Sequence, residues 1–336
     1  MEAGALNGVA LSEHEATAFG ASALERIGFS ADEARVIAVN LVDAEMCGYP
    51  ALGLPRILTI AEHPHFRNPR TPISVVHETP VSALVDGGNY VGFYAVHRAT
   101  QIALDKARAS RFALVGVHNS WLSGRSAYYV EMIARAGFIG IHFACSQPVV
   151  VPLGGMAPAF GTNPIAFGLP CEPEPMVFDM STAAFNNGDL VLASRLEQLL
   201  PAGCAIDAQG NPTRDAQAAL AGSILPFGGH KGSGLSLTIQ ALGLVAGAAM
   251  PRGRVQDFAF LLLVFDPGLL VPPDEFKAQL AELIANVRGI PRQPGVDEIR
   301  VPSERAFRER ARSKRDGIVL NRVLYERIAA LRALTR

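Results

Sequence analysis

The sequence has few of the residues that build metal centres or disulfide frameworks. It contains four cysteines among 336 residues, and no two of them form a C-x-x-C pair, which excludes zinc-finger and thioredoxin-like proteins. No histidines stand at H-x-x-x-H spacing or beside a carboxylate cluster, so we predict no metal site. Cys47 and Cys145 lie in apolar stretches and are expected to be buried free thiols.

Charge is balanced and scattered rather than collected in runs. The 30 Lys and Arg residues against 31 Asp and Glu residues give a formal net charge of -1. Without a basic tail or an acidic block, a nucleic-acid partner is not expected. The longest apolar runs, SLTIQALGLVAGAAM and FAFLLLVFD, are too short or too interrupted to cross a bilayer. The opening residues MEAGALNGVALSEHEA have no long apolar core, so we expect no signal peptide, a cytoplasmic location and no membrane contact.

The chain instead has the composition of a globular protein with alternating helices and strands. Hydrophobic residues make up 49% and charged residues 18%, which suits a large core in two or three domains. The S-x-x-E patterns at Ser12 and Ser30 are capping boxes and predict a pair of helices at the start. Strands and helices then alternate irregularly, which predicts an α/β chain without a regular βαβ series. We expect an ordered loop over 146–175 and a buried helix over 234–248.

The stretch LPFGGHKGSGLSL, residues 225–237, is the most unusual local pattern. The G-x-G-x-x-G fingerprint of a Rossmann fold is absent from the chain, and this stretch lacks the Gly-Lys-Ser/Thr run of a Walker A loop. Successive glycines before a helix N-terminus, with Lys231 beside them, nevertheless suit a phosphate or pyrophosphate. A tight turn with a solvated lysine explains the same residues equally well.

Two further stretches carry polar residues at turns. AFGTNPIAFGLP (159–170) contains a turn with two side-chain hydrogen bonders, which by itself is typical of a structural turn. VFDMSTAAFNNGDL (177–190) places Asp179 at a strand end and Asp189 after a glycine. Such aspartates cap helices or turns, hold ribose hydroxyls or carry catalytic protons.

The histidines give weaker signals. His63 and His65 are expected to be solvated in a polar loop, and His142, alternating within a strand, to be a hydrogen-bonded core residue. His118 and His230 lie beside candidate motifs and are the histidines to test.

Taken together, six segments in a fixed order resemble one family. They are GVHNS, FGTNPIAF, VFDMSTAA, LPAGCAIDAQGNPT, LPFGGHKGSGLSL and PRQPG. They resemble the type-2 malate/L-lactate dehydrogenase family of NAD(P)-dependent oxidoreductases, whose members include sulfolactate dehydrogenases and reductases of Δ1-piperideine-2-carboxylate and Δ1-pyrroline-2-carboxylate. The resemblance runs from Glu15 to Ile318.

The resemblance implies a non-Rossmann α/β fold with a mixed, largely antiparallel sheet, and a homodimer. It implies a helical domain built from residues 1–75 and completed by 270–336, around a central NAD(P)-binding domain over 76–269. NADPH or NADH is the implied cofactor, and a small carboxylate is the implied substrate.

Residue by residue, the resemblance implies a cofactor site made of four short stretches. Arg56 matches an arginine suited to the substrate carboxylate, because a planar guanidinium can bind a carboxylate bidentately. Asp189 matches an aspartate near the reacting centre, and His118 and Ser123 are the other predicted substrate contacts. The cofactor stretches are Gly161, Thr162, Asn163 and Pro164; Asp179, Met180, Ser181 and Thr182; His230 and Lys231; and Pro294 and Gly295.

The sequence departs from the family pattern at both usual histidines. The family motif Gly-x-x-Ser-His-Gly, whose histidine donates the proton in reduction, reads GYPALG here, with Leu52 at the histidine position. The second family histidine, in Asn-Ser-Asn-His-Phe-Gly, meets NSWLSG, with Leu122 in its place. Asp189, through a water, is the first candidate for a substitute donor; the others are Tyr49, His118, Ser123 and Tyr128.

These departures shape the predicted function. An iminium substrate arrives already protonated and needs a general acid less than a ketone does. We therefore predict an NAD(P)H-dependent reductase of a small cyclic 2-imino acid, with NADPH preferred because imine-reducing members of the family favour it. The alternatives are a 2-hydroxy-acid dehydrogenase of the malate, lactate or sulfolactate type and a cofactor-binding protein that has lost catalysis.

Overall fold

The computed structural model describes residues 8–248 and 258–331. The helices are α1 (Glu13–Arg26), α2 (Ala31–Met46), α3 (Arg56–Glu62), α4 (Gly92–Ser110), α5 (Ser126–Arg135), α6 (Asn187–Arg195), α7 (Ala216–Ala221), α8 (His230–Val245), α9 (Pro273–Gly289), α10 (Glu304–Asp316) and α11 (Arg322–Ala329). The strands are β1 (Gly8–Leu11), β2 (Ser74–Thr79), β3 (Ser82–Val91), β4 (Phe112–Trp121), β5 (Ile139–Cys145), β6 (Ile165–Leu169), β7 (Met176–Met180), β8 (Ala205–Ile206), β9 (Pro212–Thr213), β10 (Ser223–Ile224), β11 (Phe258–Phe265) and β12 (Ile318–Asn321).

A seven-stranded sheet forms the centre of the described chain. Its order is β2-β3-β4-β11-β5-β6-β7, with β3 and β4 parallel and each other neighbouring pair antiparallel. The predicted α/β fold with a mixed, largely antiparallel sheet is confirmed. The strands β4 and β11 are nearly continuous apolar runs because both their faces are covered, and Leu262 and Val264 are fully buried.

The first and last described elements meet in space. Strand β1 pairs antiparallel with β12, from Gly8 opposite Asn321 to Leu11 opposite Ile318. Phe19 on α1 stacks on Tyr325 of α11, with ring centroids 4.4 Å apart. Both ends of the described chain therefore contribute to one helical layer; the domain boundaries themselves stay a prediction.

Local sequence signals determine how the first helices begin. The Ser12 hydroxyl accepts the N–H of Glu15, whose carboxylate accepts the Ser12 N–H at 2.8 Å. Ser30 and Glu33 form the same reciprocal pair at the start of α2. Both predicted capping boxes are confirmed, because the motif satisfies two helix-end donors with contacts only three residues apart.

Two predictions of secondary structure were wrong in part. The expected loop over 146–175 contains β6, where the missing side chain of Gly168 lets the strand pass the Val130 carbonyl. Helix α8 forms as predicted but is buried on one side only, and Leu237 and Val245 are 59% and 64% exposed. Its Ser236 and Gly243 side packs on the protein, whereas nothing in the described chain covers the opposite apolar face.

The thiols and the core histidine are buried as expected, with one difference. All four cysteines are free and buried. His142 is fully buried, but neither ring nitrogen meets a hydrogen-bond partner among the described residues, so the expected hydrogen bonds were wrong. Burial lowers the pKa of His142 to about 3 and keeps the ring neutral. Within 8–248 and 258–331, no helix combines the length and apolarity needed to span a membrane.

A buried ion-pair network joins the helical layer to α5. Asp43 accepts a hydrogen bond from Arg125 at 2.6 Å and forms an ion pair with Arg310 at 2.9 Å. Arg310 also binds Glu131 of α5 with both terminal nitrogens, at 2.6 and 2.7 Å. Because each charge is largely removed from water, the network is stable only while the charges stay balanced.

Replacing Asp43→Asn should therefore unfold the protein at markedly lower denaturant concentration. The substitution keeps the side-chain shape but leaves two buried arginines undercompensated, which costs roughly 3–5 kcal/mol. Asp105→Asn is the matched control, because Asp105 forms an ion pair with Arg108 at the surface. The two side chains are 75% and 58% exposed, and such a pair contributes about 1 kcal/mol or less to the free energy of unfolding. Equal losses in the two variants, measured by urea unfolding, would contradict the role of the network.

Candidate active site

A cleft of about 600 Å³ opens between the helical layer and the sheet. One wall comes from the turn before α3 and from α3 itself, and another from the segment between β4 and α5. The ends of β5 and β7, the start of α6 and Phe258 and Phe260 of β11 line the rest, together with Pro302 and Ser303 before α10. The site is thus assembled from elements far apart in sequence.

Arg56, the first residue of α3, places a buried cation in this cleft. Its side chain is 9% exposed and makes no hydrogen bond or ion pair with the described residues. Gly188 lies so close that a β-carbon there would be 2.3 Å from Nη2. Burial lowers the pKa of Arg56 to about 10, against the charge of Asp189, so the guanidinium remains protonated at neutral pH. A buried cation without a protein partner is suited to an anionic ligand.

Arg125 also lines the cleft, but its charge is already balanced. Its ion pair with Asp43 and its contact with the Tyr49 ring, 5.5 Å to the centroid, hold it in place. The charge of Asp43 raises the pKa of Arg125 against the effect of burial. Arg56 is therefore the one arginine of the described cleft that is available to a ligand.

His63 lines the cleft as well, which corrects the expectation of a solvated side chain. Its ring stacks on Trp121, with centroids 4.5 Å apart and an interplanar angle of 10°. Burial and, to a smaller extent, the neighbouring His65 lower the pKa of His63 to about 4. The spacing of Arg56, Thr59 and His63 was the missed signal, because residues at i, i+3 and i+7 share one helix face, and all three line the cleft.

The turn 161–164 supplies both lining and support. Thr162 and Pro164 line the cleft. Asn163 is fully buried and donates to the carbonyl of Ser236 and to Gln240 on α8, each at 2.9 Å. Gly161 leaves no room for a side chain, since a β-carbon would lie 2.2 Å from Ser146 Oγ. Two of the four predicted residues thus face the cleft, Asn163 fixes the turn on α8, and Gly161 packs against Ser146.

The stretch 179–182 divides in the same way. Asp179, Met180 and Ser181 line the cleft, whereas Thr182 is fully buried and accepts a hydrogen bond from Ser236 Oγ at 2.7 Å. Asp179 Oδ2 also accepts the N–H of Ala127 at 2.8 Å, at the start of α5. Burial raises the pKa of Asp179, and the backbone N–H of Ala127 opposes the rise.

The glycine turn and the Asp179 stretch are neighbours. The N–H of Phe227 donates to the Thr182 carbonyl at 3.0 Å, and Ala183 pairs with Pro226. Gly228 and Gly229 take positive φ angles of 52° and 60°, which lets the chain turn into α8. The next two residues, His230 and Lys231, are exposed and lie outside the described cleft lining.

The other predicted site residues lie at varied distances from the cleft. Ser123 lines it. Asp189 lies in the first turn of α6 behind Gly188, near enough to affect the pKa of Arg56 but outside the lining. His118 packs against Gly247. Pro294 and Gly295 are exposed, whereas Pro302 and Ser303 of the same segment reach the cleft. Within the described ranges, no three His, Cys, Asp or Glu side chains gather as metal ligands.

The packing at Gly161 predicts opposite effects for two Gly→Ala variants. Gly161→Ala should lower the free energy of unfolding by roughly 1–3 kcal/mol, because its β-carbon overpacks Ser146. Gly234→Ala, in α8, meets no atom within 4 Å and should raise stability by about 0.5–1 kcal/mol by restricting the unfolded chain. Thermal unfolding of both variants checks the signs; stabilisation by Gly161→Ala would contradict the geometry.

Comparison with known proteins places this chain in a family. The sequence profile of malate/L-lactate dehydrogenase matches residues 11–329. The chain is 34% identical over 309 residues to an L-sulfolactate dehydrogenase of Methanothermobacter thermautotrophicus, covering 88% of each chain. It is 33% identical over 339 residues to a Δ1-pyrroline-2-carboxylate reductase of Pseudomonas fluorescens, covering 96% of this chain and 98% of that one.

The fold agrees with the sequence match. The crystal structure of Δ1-piperideine-2-carboxylate reductase from Pseudomonas syringae superposes with a TM-score of 0.83 at 31% identity, covering 95% of this chain and 98% of that one. Sequence and structure match over nearly the whole chain, and the protein therefore belongs to the malate/L-lactate dehydrogenase family of oxidoreductases.

Proposed function

We propose that this protein is an NAD(P)H-dependent reductase of a small cyclic 2-imino acid, such as Δ1-pyrroline-2-carboxylate or Δ1-piperideine-2-carboxylate. The observation that carries the proposal is the single unpaired guanidinium of Arg56 in a cleft with apolar walls. The guanidinium would bind the one carboxylate of such a substrate.

The charge of the cleft favours a monoanion. Malate and sulfolactate each carry two anionic groups, which call for two cations when water is removed. Arg125 is paired with Asp43, and the low pKa of His63 keeps that ring neutral. A second anionic group would therefore find no free cation in the described lining, and it would share the cleft with the carboxylate of Asp179.

The apolar walls favour a ring of methylene groups. Leu52 and Leu122, at the two positions where the family pattern has histidine, both line the cleft. Phe258 and Phe260 add aromatic surface. These side chains would bury the saturated part of a five- or six-membered ring, with each buried methylene worth about 0.8 kcal/mol.

The cofactor residues fit a nicotinamide dinucleotide in part. Thr162, Pro164, Met180 and Ser181 would hold it along the cleft. Lys231 makes no ion pair with the described residues and follows a glycine turn, which suits a cofactor phosphate. When bound, the reduced nicotinamide supplies a hydride to the carbon next to the substrate carboxylate. Arg56 orients that carbon by holding the carboxylate.

A 2-hydroxy-acid dehydrogenase is the second candidate, favoured by one observation. The His63 imidazole lies in the cleft, so a proton-transfer group is present although positions 52 and 122 hold leucine. That arrangement would also serve a monocarboxylate such as lactate. Loss of catalysis has less support, because Arg56 and an imidazole remain together in the cleft.

Purified protein with each reduced coenzyme provides the first test. We expect consumption of NADPH or NADH with either cyclic imine, slower turnover of pyruvate, and the slowest turnover of oxaloacetate and sulfopyruvate, whose second anionic group has no partner. The decrease in absorbance of the reduced nicotinamide measures each rate. Fast reduction of oxaloacetate or sulfopyruvate, together with no reduction of either cyclic imine, would contradict the proposal.

Arg56→Lys tests the carboxylate site directly. A lysine keeps the charge but cannot form the bidentate contact, so we expect KM for the imine to rise about 10- to 100-fold, as for loss of a hydrogen bond to a charged group. The dissociation constant of NADPH, followed by fluorescence, should stay unchanged. Arg108→Lys, at an exposed position of α4, is the matched control and should behave as the wild type.

A homodimer is part of the proposal. The exposed leucines of α8 form an apolar surface of the kind that marks protein interfaces. Light scattering of the purified protein should give twice the mass of the 35.7 kDa chain. A monomer at micromolar concentration would contradict the proposed homodimer.

A further inference from the structure

Arg56 begins α3, His63 is the C-cap that ends it, and both face the cleft. The step of seven positions from one to the other spans about 10 Å along the helix axis at 1.5 Å per residue, and Thr59 between them lines the same cleft. Arginine and histidine side chains can converge on one small molecule across that distance. In a 2-imino acid the nitrogen is bonded to the carbon that bears the carboxylate, so both reacting features lie within reach of these side chains.

One ring nitrogen of His63 is hydrogen-bonded to the backbone, and the other has no partner among the described residues. Nδ1 accepts the backbone N–H of His65 at 3.3 Å, and the ring lies flat on Trp121. In the neutral ring the proton is therefore on Nε2. Nε2 meets no partner among the described residues.

The other titratable groups of the described lining are less suited to exchange a proton. Asp179 is engaged by the N–H of Ala127. Burial raises the pKa of Cys145 to about 11, which keeps that thiol protonated. The Tyr49 ring contacts the guanidinium groups of Arg125 and Arg305. Asp189, the first candidate from the sequence, lies outside the lining.

We propose that His63 is a catalytic residue that delivers the proton to the substrate nitrogen, replacing the imidazoles absent at positions 52 and 122. The inference rests on the proposed function. The ring passes its Nε2 proton to the imine nitrogen while Nδ1 takes a proton from water and gives up its contact with the His65 N–H; the hydroxide formed is neutralised by solvent. The substrate carbon accepts a hydride from the reduced nicotinamide, the C=N π electrons move to nitrogen, and the amine forms. The ring is left neutral and the nicotinamide oxidised.

A pair of substrates separates this role from a structural one. Δ1-Pyrroline-2-carboxylate that binds as the neutral imine needs a proton on nitrogen, whereas its N-methyl iminium analogue carries a fixed positive charge and needs none. His63→Gln should lower kcat/KM for the imine by about 10²-fold or more, the usual effect of losing a general acid, and leave kcat/KM for the analogue unchanged. His77→Gln is the matched control, since His77 is exposed on β2 and lies outside the lining, and should change neither rate.

The outcomes distinguish the two proposals. Suppose that wild-type protein reduces the imine. If His63→Gln lowers kcat/KM by the same factor for both substrates, or lowers it for neither, the role of His63 is overturned and the proposed function stands. If wild-type protein reduces neither compound, the proposed function fails and the role of His63 fails with it.

A measurement on wild-type protein without coenzyme gives an independent readout. Picolinate is a planar, non-reducible mimic with a ring nitrogen beside a carboxylate. At saturation it should shift the Nε2 signal of His63 in nitrogen NMR spectra, assigned by its absence from the spectrum of His63→Gln, because Nε2–H donates to the ligand nitrogen. A saturated complex with an unmoved signal would overturn the proposal.

Discussion

The charge of Arg56, buried without a counter-ion from the described chain, is the constraint that organises the site. A guanidinium away from water destabilises the protein unless a ligand or a partner balances it. The neighbouring elements accommodate the group rather than neutralise it: Gly188 gives it space, and Asp189 acts on it from beyond ion-pair distance. The cleft therefore contains an uncompensated positive charge, which the carboxylate of the proposed substrate would balance.

A second set of contacts, made by buried polar side chains, supports one side of that cleft. Asn163, Thr182 and Ser236 are each fully buried and hydrogen-bonded to one another's segments. They connect the turn after β5, the end of β7 and the helix that follows the glycine turn. Hydrogen bonds between buried polar groups restrict the arrangement of the backbone. The segments that resemble a cofactor site are therefore held in register by residues that face away from it.

Sequence reasoning succeeded where the physical signal was local. The capping boxes at Ser12 and Ser30 and the apolar runs of β4 and β11 depend on residues close in the chain, and the family resemblance extended these to the sheet. Sequence reasoning failed where the position of a side chain depended on packing between elements that are distant in the chain. His63 looks like a polar loop residue until the short helix before it and Trp121, 58 positions later, are brought together. The single-sided burial of α8 was missed because composition does not reveal which neighbour covers which face.

The pairing of β1 with β12 has a consequence for the order of assembly. The two strands are separated by more than 300 residues, and closing so long a loop is slow as well as entropically costly. On the ribosome, the central sheet can form while α10 and α11 are still being synthesised, but α1 has no Tyr325 to stack on until α11 has emerged. The wall of the cleft that carries Arg56 belongs to this layer, so the cleft is complete only after β12 and α11 have joined it.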